Sequence, residues 1–270
     1  MDDGEALTMD GVSLRRDEPG TSAVAEIVLD RPDALNALDT AMASRLAAVC
    51  ADLAADSTVQ AIVLSSSVPR AFCVGADLKE RNAMTDADFA RQRPVFRGAF
   101  DGVRNLPQPT VAAVHGYALG GGCEFALSCD LVVADETAVF GLPETMVGVV
   151  PGGGGTQLAL RKLGPGRAID MIATGRKIDA AEAYRIGLAD RLVPAAAARD
   201  HAIRLAGLIA RNSPVAVRAA KQAIRQGSGT ALAAGLDIED AAWRTAAFSG
   251  DRREGIAAFN EKREPHWPGE

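Results

Sequence analysis

Thr110-Val111-Ala112-Ala113-Val114, and then Gly116-Tyr117-Ala118-Leu119-Gly120-Gly121-Gly122-Cys123-Glu124, is the stretch that decides the fold. Its first five residues read as a buried strand. Three successive glycines then interrupt regular structure, and residues 123–129 resume as an apolar helix with an acid in its first turn. Residues 131–134 form a second strand of the buried kind, and residues 140–144 lead into Pro151-Gly152-Gly153-Gly154-Gly155. Buried strands alternating with helices imply an α/β unit with crossover connections.

Toward the N-terminus, residues 12–17 and 23–29 flank Pro19-Gly20 and read as two strands joined by a turn. Asp39 caps a helix whose apolar face is Met42, Leu46, Val49 and Leu53. Residues 61–64 read as a short strand and 71–79 as a loop of small residues. Residues 85–105 read as a helix, although Pro94 interrupts it. Beyond Thr156 the texture changes to Ala-rich helical segments at 156–163, 180–186, 195–210, 214–226, 230–247 and 251–261, with 191–193 as the lone strand. The expected division is an α/β core over 1–200 and a helical region over 201–270. These helices are apolar enough to pack on the core or on another subunit.

The chain has 270 residues, 29 basic against 35 acidic, for a net charge of −6. Such a surface does not attract polyanions, so neither nucleic acid nor an anionic membrane is an expected partner. Any anionic substrate must be held by local cations. Cys50, Cys73, Cys123 and Cys129 form no CxxC pair and sit among apolar residues, as reduced buried thiols do. The acidic opening Met1-Asp2-Asp3-Gly4-Glu5 resembles no leader, and no apolar run reaches the ~20 residues of a membrane span, so a cytoplasmic setting is expected. There is no GxGxxG, GxxxxGK[ST] or GxSxG, and His115, His201 and His266 lack metal-ligand spacing. Neither metal nor cofactor is expected, and His115 reads as structural.

Glycine beside acid is what remains. Backbone without Cβ atoms admits a ligand closely, and the first N–H groups of a helix have no intrahelical partner, so Gly120-Gly121-Gly122 could stabilise an oxyanion. A tight packing turn explains the same glycines equally well. Glu124 could serve the helix dipole or a buried pair. If Glu144 shares its cleft, their pKa values would be driven apart, leaving one acid and one base.

The run from Gly116 to Glu124 with Ser128-Cys129-Asp130 resembles the signature of the enoyl-CoA hydratase/isomerase (crotonase) family. So do Ala71-Phe72-Cys73-Val74-Gly75-Ala76-Asp77-Leu78-Lys79-Glu80 and Phe140-Gly141-Leu142-Pro143-Glu144. Arg31-Pro32 with Ala34-Leu35-Asn36-Ala37-Leu38, residues 151–157, and Asp251-Arg252-Arg253-Glu254-Gly255 match further blocks in order.

This resemblance implies an α/β spiral of ββα units, with a C-terminal helical region used in trimerisation and a homotrimer or homohexamer as the assembly. It implies an acyl-CoA substrate whose thioester oxygen is held by the backbone N–H groups of Ala76 and Gly121. Glu124 and Glu144 would exchange the protons of a water with an enoyl-CoA, and Gly152 would help place that water. Ala76, Asp77, Leu78 and Lys79 would lie along the CoA, while Phe259 and Lys262 would reach CoA bound by a neighbouring subunit. CoA is carried by the substrate, so no separate cofactor is implied.

An isomerase that moves the double bond would share every feature except the need for Glu124. His115 and Leu142 stand where many relatives have asparagine and glutamine. Residues 71–80 with Arg81, and the ending Glu261-Lys262-Arg263-Glu264-Pro265, resemble the methylglutaconyl-CoA hydratase branch, which points toward branched or carboxylated substrates. That branch includes an RNA-binding member, but the helix over 40–55 carries Arg45 as its only cation.

Overall fold

In the computed structural model, which describes residues 9–16 and 23–270, successive turns of the chain each give one strand to each of two sheets. The hairpin β1 (Val12–Arg16) and β2 (Val24–Leu29) is antiparallel, and α1 (Thr40–Ala55) follows it. One turn then comprises β3 (Ala61–Ser66), β4 (Ala71–Cys73), α2 (Leu78–Asn82) and α3 (Asp86–Arg104). The next is β5 (Thr110–Val114), β6 (Tyr117–Leu119) and α4 (Gly121–Ser128). The third is β7 (Leu131–Asp135), β8 (Val139–Gly141), a 3-10 turn over Pro143–Val147, α5 (Gly155–Leu163) and α6 (Pro165–Thr174). β9 (Lys177–Asp179), α7 (Ala180–Ile186) and β10 (Arg191–Val193) complete the sheets. α8 (Ala198–Ala210), α9 (Pro214–Gly227), α10 (Leu232–Ala247) and α11 (Gly250–Glu261) end the chain. This is the spiral of ββα units with a C-terminal helical region that the resemblance implied.

The larger sheet runs β1-β2-β3-β5-β7-β10 and the smaller β4-β6-β8-β9. The period of two along a strand explains why the larger sheet is buried on both faces. Ile62 and Leu64 point into the main core, whereas Ala61 and Val63 meet Ala198, Ala202 and Ala206 of α8. Those three alanines recur every fourth residue, one stripe of a helix lying on the sheet. By its packing, α8 therefore belongs with the sheet, while α9, α10 and α11 pack on one another.

Asp39 does cap α1, accepting from Met42 N at 2.8 Å, and Met42, Leu46, Val49 and Leu53 are its buried face. Pro94 is accommodated inside α3: it stands on the solvent side while Phe96, Phe100 and Val103 anchor the helix. The loop expected over 71–79 is corrected: β4 occupies its start, because Phe72 is fully buried and the strand pairs with β6, and α2 begins at Leu78. Residues 191–193 are not the lone late strand, since β9 pairs antiparallel with β8. α6 was unforeseen, and α4 begins two residues before the expected start at Cys123. The turn expected at Pro19-Gly20 and the acidic opening lie outside the described residues.

All four cysteines are free and buried. The ring of His115 meets Val68 O at 2.8 Å, a structural contact. No helix among the described residues is long and apolar enough to cross a membrane.

Candidate active site

β4, β6 and β8 are adjacent and parallel, with Cys73 beside Ala118 and Leu119 beside Gly141. Their carboxyl ends therefore open on one edge of the small sheet, where ligands of open α/β sheets commonly bind. Gly75-Ala76 follows β4, Gly120-Gly121 and Glu124 follow β6, and Glu144 follows β8. Strand pairing thus brings together residues far apart in sequence.

Gly75 has φ +93°, a backbone state that side chains with a Cβ rarely adopt. A Cβ there would lie 3.0 Å from Leu119 O and 3.1 Å from Gly121 N, so only glycine lets the two segments approach. The 75–77 segment is fixed from behind: Leu38 N donates to Gly75 O at 2.7 Å, and Asp77 N donates to Leu38 O at 2.8 Å. Alternation along extended backbone turns the Ala76 N–H away from Leu38. Gly121 is the first residue of α4, so its N–H has no intrahelical acceptor.

Glu124 lies in the first turn of α4 and is only 3% exposed. Its Oε1 accepts from Gly153 N and from Gly155 N, both at 2.7 Å. Burial pushes its pKa up, while those N–H groups and the nearby Arg93 charge pull against the rise. A Cβ on Gly155 would fall 2.9 Å from Oε1 and 2.8 Å from the Pro151 side chain, so the donor loop can close on the carboxylate only as glycine.

Glu144 sits in the 3-10 turn, and its Oε2 is buried without a hydrogen bond among the described residues. A Cβ on Gly120 would come 3.2 Å from its Oε1, which places the carboxyl against the entrance to α4. Burial raises its pKa to about 7, with the negative charge of Glu124 adding to the rise and the Arg81 charge opposing it. The two acids therefore feel each other across a glycine backbone: Glu124 is gripped by two donors from the 153–155 loop, while Glu144 has its own backbone N–H and an Oε2 with no partner among the described residues.

The model of the family described as enoyl-CoA hydratase/isomerase matches residues 20–270. The chain belongs to that family. A probable mitochondrial enoyl-CoA hydratase of Arabidopsis thaliana is 41% identical over 258 residues, covering 96% of this chain and 86% of the relative. The mitochondrial methylglutaconyl-CoA hydratase of Mus musculus is 38% identical over 270 residues, covering 98% of this chain and 86% of the relative. The crystal structure of an enoyl-CoA hydratase from Bacillus anthracis superposes with a TM-score of 0.92 at 39% identity, covering 96% of this chain and 100% of that one.

Within this member of the family, the remaining expected residues fall into separate groups. Asp77 is buried and engaged: it caps α2 through Lys79 N at 2.9 Å and Glu80 N at 3.2 Å, and pairs with Arg31 Nη1 at 2.7 Å. Burial works to raise its pKa, but Arg31 and the two N–H groups outweigh it and hold the carboxyl below the usual range. Leu78 and Lys79 are exposed beside it. Gly152 neighbours the loop that grips Glu124, yet the donors are Gly153 and Gly155, which the sequence reading missed; the only signal was the repeated glycine over 152–155. Phe259 is 83% exposed on α11, and Lys262 ends that helix with φ +55°. α11 packs against α9 and α10.

Proposed function

We propose that this protein hydrates enoyl-CoA thioesters, adding water across the α,β double bond. The observation that carries the reading is the contrast between two neighbouring carboxyls. Glu124 accepts two backbone N–H groups, which favours its ionised form; the buried Oε2 of Glu144 has no hydrogen-bond partner among the described residues, which favours its protonated form. Glu124 then takes a proton from the water attacking Cβ, and Glu144 delivers one to Cα. The thioester oxygen gains negative charge as Cβ is attacked, and the N–H groups of Ala76 and Gly121 receive it. Fixed dipoles in a dry site need no reorganisation at that moment. The reaction calls for no cofactor beyond the CoA of the substrate, which would run along Ala76, Asp77, Leu78 and Lys79, with Gly152 near the water.

Double-bond isomerisation is the second reading, favoured by the single unpartnered base or acid at Glu144 with its pKa near neutrality. A panel of purified 2-enoyl- and 3-enoyl-CoA thioesters, with hydration and double-bond migration scored separately, decides between them. Hydration of 2-enoyl substrates is expected; migration without hydration would overturn the hydratase reading.

The assembly that fits is a homotrimer or homohexamer, with Phe259 and Lys262 completing a neighbour's CoA site. Support comes from the apolar residues left exposed late in the chain, Leu232, Trp243 and Phe248 among them. Sedimentation velocity tests this, and a fully active monomer would refute it.

A further inference from the structure

We propose that Arg225 is a positioning residue for the site: from the C-terminal helical region it pins the last turns of α3 and α4 together, and so fixes the glycine donors that those two helices carry or prop. The inference goes beyond the hydratase reading and rests on it only for the kinetic part of its test.

α9 meets the body of the protein through cations more than through apolar surface. Its buried residues are Pro214 and Ala219, whereas Arg218, Lys221 and Arg225, spaced three and four apart, form one stripe of the helix. Each donates to a backbone carbonyl of the core: Arg218 Nη2 to Val59 O at 2.9 Å, Lys221 Nζ to Gln108 O at 2.6 Å, and Arg225 Nη2 to Ser128 O at 3.1 Å. Arg225 Nη1 donates in addition to Arg104 O. Arg104 and Ser128 are the last residues of α3 and α4, so one guanidinium serves the carbonyl ends of both helices, where a cation is favoured. The fork is aimed by Asp130. Its Oδ1 pairs with Arg225 Nη2 at 2.7 Å, while its Oδ2 accepts from Thr110 N at 2.8 Å and from Lys221 Nζ at 2.7 Å. A planar group with five donors reaches two carbonyls and a carboxylate at once, which a point-charge ammonium does not.

What the fork holds is the frame of the site. Phe100 of α3 stacks on Phe125 of α4 with ring centroids 4.3 Å apart. The Phe100 ring also lies 2.6 Å from where a Cβ of Gly153 would stand and 3.2 Å from where one of Gly121 would, so it fills the gap between the two glycine backbones. Arg104 Nη1 donates to Gly153 O at 3.4 Å, and Gly153 N donates to Glu124 Oε1. Ser128 Oγ donates to Glu124 O at 2.7 Å, one turn back along α4. A shift of α3 against α4 therefore moves Phe100 and Arg104, and with them Gly153 N, relative to Gly121 N and Glu124. A close-packed interior has no slack to absorb it.

Arg225→Met keeps an apolar stem and removes the fork. With a 2-enoyl-CoA, kcat should fall about tenfold, while KM and the affinity for free CoA change less than about threefold. The acid limb of the kcat/KM profile should move to higher pH, because a looser 153–155 loop favours the Glu124 carboxylate less. Arg81, Arg93 and Glu144, the charged groups that act on Glu124, are untouched by the substitution. Arg218→Met is the control: it breaks the same kind of bond from the same helix, but to Val59 O ahead of β3. It should lower the melting temperature and leave kcat within about twofold. Arg225→Lys keeps a cation for Asp130 without the fork, so it should regain stability and stay at least about threefold low in kcat. Parent kcat with an unmoved profile in either folded Arg225 variant overturns the proposal. Equal kcat losses in Arg225→Met and Arg218→Met also overturn it, since general loosening would then be the cause. Amide hydrogen exchange read by mass spectrometry needs no turnover: it should quicken over 121–128 and 152–156 in Arg225→Met and not in Arg218→Met. That pattern in a protein that hydrates no enoyl-CoA would sink the hydratase reading alone, and unchanged exchange in Arg225→Met would sink the positioning claim alone.

Discussion

The start of α4 and the turn after β8 each carry one acid of the site, and they hold it in opposite ways. Around α4 everything is buried, and two glycine N–H groups grip Glu124 at 2.7 Å. After β8 the backbone comes to the surface, with Met146 71% and Val150 68% exposed, and Glu144 keeps a buried oxygen that accepts nothing among the described residues. Burial raises both pKa values, but the first site returns more of the lost hydration through hydrogen bonds. Burial favours the neutral form of both acids, but the N–H groups at Glu124 oppose it, which is the kind of difference an acid/base pair requires.

The largest expected effect removes the titrating groups themselves. Glu124→Gln and Glu144→Gln should each lower hydration at least about a hundredfold, while a saturated acyl-CoA still binds. Near-normal turnover in either variant, measured by loss of the enoyl thioester absorbance, would break the pairing of roles.

Next is the grip on Glu124. Gly155→Ala puts a methyl group 2.9 Å from Oε1 and 2.8 Å from the Pro151 side chain, so the loop must shift and the N–H bonds lengthen. Turnover should fall on the order of tenfold, with about 1–3 kcal/mol lost from stability by overpacking. Gly148→Ala is the counterpart in the other region: its φ is +79° but nothing lies within 4 Å, so only about 1 kcal/mol of backbone cost is expected, and little activity. Equal kinetic losses in the two variants would erase the proposed asymmetry.

How far the sequence reaches follows from the same contrast. Glu124 and Glu144 could be singled out by type and by neighbouring glycine, and the cap at Asp39 by its position before an apolar period. Their convergence could not, because β4, β6 and β9 are three residues each, too short to show a period. Pro165 lies between two glycines, and as a proline in the first turn it starts α6, a helix the residue pattern did not announce. The N–H groups of Gly153 and Gly155 point at Glu124 only once α4 and the loop are packed, a tertiary fact that residue type does not encode. Arg31 and Asn36, quoted only as matching blocks, hold the 31–38 loop beside Ala76: Arg31 pairs with Asp77, and Asn36 donates to Ser66 Oγ and Phe72 O.

A pH effect on stability comes next in size. The Glu144 pKa rises from 4.5 in the ordinary state to about 7 in the fold. Between those values the folded state holds a proton that the unfolded state releases, so stability falls as pH rises, and above 7 the full cost is present. With allowance for its partial exposure, that cost is on the order of 1–2 kcal/mol. Glu144→Gln should therefore be more stable than the parent at pH 8 and no more stable at pH 5, in urea denaturation. In the parent, kcat should decline above about pH 7 as the proposed acid loses its proton. Glu124→Gln should gain less, because the amide can no longer serve both N–H donors as a carboxylate does. Identical pH responses in the two variants would show that the surroundings do not differ in the way argued.

The smallest effect tests whether the turn after β8 depends on a single tether. Thr145 Oγ1 donates to Ile172 O in α6 at 2.7 Å, while its neighbours Met146 and Val147 are largely exposed. Thr145→Val keeps the shape and β-branching but deletes the donor, leaving the Ile172 carbonyl to water. An exposed hydrogen bond of this kind contributes about 1 kcal/mol. Its loss should let the Pro143–Val147 turn open more often and move Glu144 out of line for part of the time. The expected result is a two- to threefold drop in kcat with KM nearly unchanged, since the substrate's CoA contacts lie elsewhere. Amide hydrogen exchange should quicken over 143–150 and remain slow over 121–128, where α4 supplies its own bonds. Faster exchange spreading into α4 would mean that the two acids share one rigid unit. Unchanged exchange in both would mean that packing on α6, not the hydroxyl, fixes the turn.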